Sequence, residues 1–201
     1  MSIPWRSALT VAFLAGVSNM AIEMTASRLL APAFGTSLAV WTNIIGVMMA
    51  ALCAGYTLGG RLADRRPVPG VLAALILAGG LWSALVPLFS TPLLKLAVET
   101  LGLEEFPGSF LCTVILFAPP IFLLGMVNPY AIRLAATDVE SVGRLSGRVY
   151  SISTLGSLVG TFLPVLVTIP LLGSAKTMYL FSMLLIVTGL FTRGLRPDAR
   201  S

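Results

Sequence analysis

Of the 201 residues, 57% are hydrophobic and only 10% are charged, and the mean hydropathy is +0.95. A soluble domain carries about 25% charged residues, so this chain has too few to cover a water-facing surface. The net charge of +5 comes without a basic stripe interleaved with stacking aromatics, which argues against nucleic acid as a partner.

Runs of about 20 apolar residues are transmembrane candidates. Six such runs occur, at 8–31, 39–61, 69–90, 109–134, 146–170 and 175–194. The expected fold is therefore all-α: a polytopic membrane protein with six transmembrane helices, one domain over 1–201, with the lipid bilayer as its first partner. Arg6 before the apolar stretch from Ala8 is reminiscent of a signal peptide. No small-residue cleavage site follows and the apolar character runs on, so the segment is expected to be retained as the first helix.

The first helix carries Gly16, Asn19, Glu23 and Ser27 at spacings of three, four and four, along one face. Glu23 is the outstanding residue, because a charge in hydrocarbon costs roughly 2.5–3.5 kcal/mol on insertion scales and marks a functional site by default. Two readings stay open: a cation or proton site, or a buried carboxylate bonded to Asn43, Tyr56 or a serine of a neighbouring helix. Arg28 lies five residues on, roughly 140° around the helix from Glu23. It is expected to snorkel outward, or to meet Glu23 only with help from another helix.

Pro32 and Gly35 are expected to break the first helix in a short outer turn before Trp41. The second helix has Asn43 near its outer end, and Gly55 and Gly59 give a spacing that admits a close neighbour. It runs into a basic inner loop with Arg61, Asp64, Arg65 and Arg66. Residues 91–103, with Lys95, Glu99 and Gly102 on one face, read as a short interfacial helix. Glu104 and Glu105 make the loop after it acidic, and it is expected to be solvated.

The fourth span is interrupted by Pro119-Pro120 and by Asn128-Pro129, which free carbonyls that neighbours or a cavity must satisfy. The fifth opens with Gly143, Gly147, Gly156 and Gly160 beside Ser151, Ser153, Thr154 and Ser157, a composition suited to tight helix packing. Arg144 and Arg148 stand at its inner end.

With the N-terminus in the cytoplasm, Arg6, Arg61, Arg65, Arg66, Arg133, Arg144, Arg148, Arg193, Arg196 and Arg200 all fall inside, and only Arg28, Lys95 and Lys176 outside. That asymmetry sets the expected orientation in a bacterial-type inner membrane, with both termini cytoplasmic. Cys53 and Cys112 lack metal or redox spacing, and there is no histidine. No metal, no cofactor and no catalytic residue is expected, so the chain reads as no enzyme.

Two stretches carry a family likeness. One is Glu23-Met-Thr-Ala-Ser-Arg-Leu-Leu-Ala-Pro-Ala-Phe-Gly-Thr-Ser37, with Trp41 and the segment Gly55–Pro67. The other runs from Gly143 to Phe162 and on through Ile169-Pro-Leu-Leu-Gly173. Together they resemble the membrane domain of the fused major-facilitator/spermidine-synthase proteins. The resemblance implies a six-helix unit similar to one half of a major facilitator. In the fused proteins a cytoplasmic aminopropyltransferase-like domain follows, and these 201 residues contain none. Aminopropyl transfer would then come from a partner chain.

The favoured function is a non-enzymatic membrane subunit. It would assemble with an aminopropyltransferase-like protein or a larger membrane complex through Arg61, Asp64, Arg65, Arg66, Arg144 and Arg148. The alternative is a small transporter of an organic cation such as a polyamine, acting as a homodimer. There Glu23 would be the cation ligand, with Arg28, Asn19, Asn43, Tyr56 and Asn128 in its polar network.

Overall fold

A computed structural model describes residues 3–136 and 139–195. Among them all regular structure is helical: α1 (Trp5–Phe34), α2 (Leu38–Arg65), α3 (Pro69–Lys95), α4 (Glu105–Leu116), α5 (Ala118–Gly125), α6 (Val127–Ala135), α7 (Val139–Leu163), α8 (Ile169–Leu172) and α9 (Ser174–Gly194). Five helical stretches are long and apolar enough to cross a membrane, and the bent series α4–α6 makes a sixth. The chain is an all-α polytopic membrane protein. Arg196 and Arg200 lie outside the described residues.

Several boundaries differ from expectation. α1 continues through Pro32 and ends at Gly35, whose φ of 74° only glycine adopts cheaply. The carbonyl that Pro32 leaves without a donor belongs to Arg28, which is exposed and open to water or headgroups. Residues 91–103 do not form a separate interfacial helix. α3 runs on through Pro92 into a π-helical turn, Leu96–Thr100, and only Gly102, at φ 59°, turns the chain. Widened turns absorb a proline without ending the helix. Pro164 opens a second such turn, Pro164–Thr168, between α7 and α8.

The fourth span breaks where its prolines predict. α4 and the α5–α6 stretch meet at Phe117 with a 49° bend. Pro120 removes the donor for the Leu116 carbonyl, and the Trp82 indole of α3 supplies one at 3.2 Å. The second break, at Met126, precedes Asn128-Pro129. Glu104 and Glu105 are exposed, as expected of a solvated acidic loop, and Ser37, the N-cap of α2, donates to the Glu105 carboxylate that opens α4.

α1 is the hub. It packs chiefly on α7 and α9, while α3 packs on α9 and α2 on α4–α6. Gly156 and Gly160 face the Phe13 and Val17 carbonyls of α1, where no Cβ fits. A Cβ added at Gly143 or Gly147, expected to pack in the same way, would meet no atom of the described residues within 4 Å. These two glycines lie off the contact with α1, which Leu145 and Val149 make at this end of α7 by packing on Leu9 and Ala12.

Candidate functional site

Close approach of four helices builds a polar pocket. Gly16 of α1 lies against the Ser153 backbone of α7. A Cβ at Gly55 of α2 would stand 3.0 Å from the Gly125 Cα, and one at Gly59 only 2.8 Å from the Met126 Cβ. α2 is thus seated on the α5–α6 break, and Asn128 follows that break directly. Between these helices lies a cavity of about 40 Å³, walled by Asn19, Tyr56, Asn128, Ser153 and Ser157, with Leu52 and Leu124.

Three residues expected in one polar network therefore converge from three helices. The Asn128 amide nitrogen donates to Ser153 Oγ at 2.9 Å. Ser157 Oγ reaches toward the Gly16 carbonyl at 3.5 Å, a weak contact. The side-chain oxygens of Asn19 and Asn128 are buried, and among the described residues neither receives a hydrogen bond.

None of the partners expected for Glu23 bonds it among the described residues. Asn43 is not a partner of Glu23: its amide donates to the Phe106 carbonyl at 2.9 Å and to Ser109 Oγ at 2.8 Å, joining α2 to α4. Tyr56 stands at the cavity wall, 40% exposed. Ser27 donates to the Met24 carbonyl of its own helix at 2.9 Å. Arg28 is exposed and faces an outer crevice shared with Ser90, Lys95 and Glu99. Glu23 itself is only 7% exposed. Among the described residues no group donates to its carboxylate and no cation pairs with it. It stands one helical turn beyond Asn19 on the same face of α1.

At one end of the bundle the basic residues assemble. Ile3 N–H donates to the Leu134 carbonyl at 3.1 Å, which ties the N-terminal segment to the end of α6. Arg133 of α6 pairs with Asp64 of α2 at 3.0 Å. Trp5 stacks with Arg6 at 5.5 Å and with Arg148 at 5.9 Å. Arg61, Arg65, Arg66, Arg144 and Arg148 are exposed around them.

Sequence reasoning overlooked Tyr130 in this region. Its fully buried ring puts the hydroxyl against the α2–α3 loop, where it donates to the Arg66 carbonyl and accepts from Val68 N–H at 3.3 Å. The signal was there: a tyrosine directly after Asn128-Pro129, at the inner end of a broken span.

Comparison with protein-family models, with characterised proteins and with solved structures returns no match. Two features of the molecule can carry function: a polar cavity with two unpaired acceptors, and an arginine-rich end of the bundle.

Proposed function

We propose that the chain is a non-enzymatic integral membrane subunit that docks a partner at its arginine-rich inner face. The carrying observation is the convergence of Arg6, Arg61, Arg65, Arg66, Arg133, Arg144 and Arg148 on one end, held by the Asp64, Trp5 and Tyr130 contacts. Exposed charges arranged on an ordered surface give specificity and steer association. The positive-inside rule puts this face in the cytoplasm of a bacterial-type inner membrane. The likeness to the fused major-facilitator/spermidine-synthase proteins suggests the partner's class: a soluble aminopropyltransferase-like protein, acting in trans where the fused proteins act in cis.

The test is neutralisation of the face. Arg144→Gln with Arg148→Gln changes only exposed side chains near the start of α7 and leaves the apolar spans as they are. A partner that co-purifies with the native chain is expected to be lost from the double variant. Undiminished co-purification would remove the inner face from the assembly.

A second reading is transport of an organic cation, with two copies forming the path. The convergence of Asn19, Tyr56 and Asn128, with Glu23 one turn away, favours it. The cavity of about 40 Å³ is far below the several hundred Å³ typical of sites for small organic ligands. A polyamine would enter only if α2 and α7 moved apart. Uptake of labelled spermidine into vesicles, abolished by Glu23→Gln, would establish this reading; equal uptake with and without the chain would end it.

A further inference from the structure

The cavity between α1, α2, α6 and α7 holds two unpaired buried acceptors. The Asn128 side chain is only 8% exposed, and its nitrogen is committed to Ser153 Oγ, so its oxygen is the free end. That oxygen and Asn19 Oδ1 are both buried without a donor among the described residues. Buried polar atoms are nearly always paired, so two unpaired acceptors on one cavity call for a guest that satisfies both. Ser153, Ser157 and Tyr56 add hydroxyl oxygens to the same wall. Glu23, one turn further along α1, also lacks a donor or cation among the described residues.

Volume and donor type narrow the guest. The cavity of about 40 Å³ exceeds the ~10–15 Å³ that one water requires. It has room for a single small ion or one or two waters. The two unpaired amide oxygens and the hydroxyl oxygens of this wall suit hard cations rather than soft metals, and the Asn19 amide nitrogen is the one polar nitrogen beside them without a hydrogen bond among the described residues. A divalent ion seeks carboxylates in its first coordination sphere, and the cavity wall holds only amides and hydroxyls. A water would also satisfy the two amide oxygens, and sodium binding separates the two guests.

We propose that this cavity binds one small monovalent cation of sodium size through Asn19 Oδ1 and Asn128 Oδ1, with the Glu23 carboxylate as the neighbouring countercharge. The assignment stands whether or not the chain assembles with a partner.

The experiment is equilibrium binding of ²²Na⁺ to the purified full chain in detergent, at constant ionic strength with N-methylglucamine as the balancing cation. One saturable ion per chain is expected. Asn19→Asp puts a carboxylate into the wall and is expected to tighten binding at least tenfold, where a water site would gain no sodium. Asn128→Ser removes a ligand and is expected to weaken binding at least tenfold. Absence of saturable binding in both the native chain and Asn19→Asp would overturn the proposal and leave water as the guest. Binding unchanged by either substitution would overturn it too, by placing the ion elsewhere. Helical circular dichroism of each variant checks folding. Should a variant fail it, the native chain decides: one ion supports the site, none refutes it.

Discussion

Gly156 and Gly160 have no space for even a methyl group, because the Phe13 and Val17 carbonyls of α1 occupy it. A Cβ at Gly143 or Gly147 would meet no atom of the described residues within 4 Å. Identical residues on one helix should therefore respond oppositely. Gly156→Leu is expected to destabilise the bundle by about 1–3 kcal/mol, the usual range for overpacking. Gly143→Ala and Gly147→Ala should stay within about 0.5 kcal/mol. Reversible unfolding in sodium dodecyl sulfate, followed by helical circular dichroism, separates the two cases. Asn43→Leu removes both bonds that Asn43 makes to α4, while the Phe106 carbonyl keeps the Ser109 hydroxyl as a donor at 3.2 Å. A loss of about 0.5–1.5 kcal/mol per bond is expected in the same assay, the net worth of an ordinary hydrogen bond. At this scale the sequence made polar residues conspicuous but left their partners open. Asn19, Glu23, Asn43 and Asn128 stand out in apolar runs. Which of them meet depends on the rotation of each helix about its axis, and that is fixed by close contacts such as Gly16 on Ser153 and Gly55 on Gly125.

The broken fourth span shows how one element handles its lost hydrogen bonds. Pro120 orphans the Leu116 carbonyl, and Trp82 of α3 donates to it at 3.2 Å. Trp82→Phe keeps an aromatic ring but withdraws the donor. It is expected to cost about 1–3 kcal/mol of stability, the penalty for an unsatisfied buried acceptor. Replacing Pro119 and Pro120 together by alanine restores two helical donors, and the 49° bend at Phe117 should shrink. Spin labels at Glu105 and Ala135 would then move apart; an unchanged distance would show that tertiary packing holds the bend. Helix existence was legible from apolar run length, and the proline pairs marked both breaks. The continuation of α3 through Pro92 was not legible. Proline is a reliable stop in water, but a membrane helix tolerates it where a π-helical turn follows.

Across the whole molecule the coverage of the helices is uneven. In the most apolar stretch of α1, 61% of residues are buried, against 28% for α2 and 22% for the α7–α8 span. α1 is thus enclosed by its own bundle, while α2 and the α7–α8 span present broad faces to lipid or to another helix. Gly46, Ala50 and Ala54 form an exposed stripe of small residues along α2, beside the exposed side chains of Ile45 and Met49. One end of the bundle carries the arginine cluster, tied together by contacts between segments far apart in sequence. Membrane class and charge asymmetry were legible from composition alone. The assembly of that face was not, because Tyr130, Trp5 and Asp64 bring it together only after folding. The Arg133–Asp64 pair itself is exposed, so Arg133→Ala should change stability by less than about 1 kcal/mol while altering the charge presented to a partner.

The central claim is that this membrane domain serves as one component of an assembly. Extraction from its native membranes in a gentle detergent, with the intact complex weighed by native mass spectrometry, tests it most directly. The account predicts a second, different chain in fixed ratio, released when Arg144 and Arg148 are neutralised. A mass corresponding to this chain alone, or to two copies of it, would contradict the account.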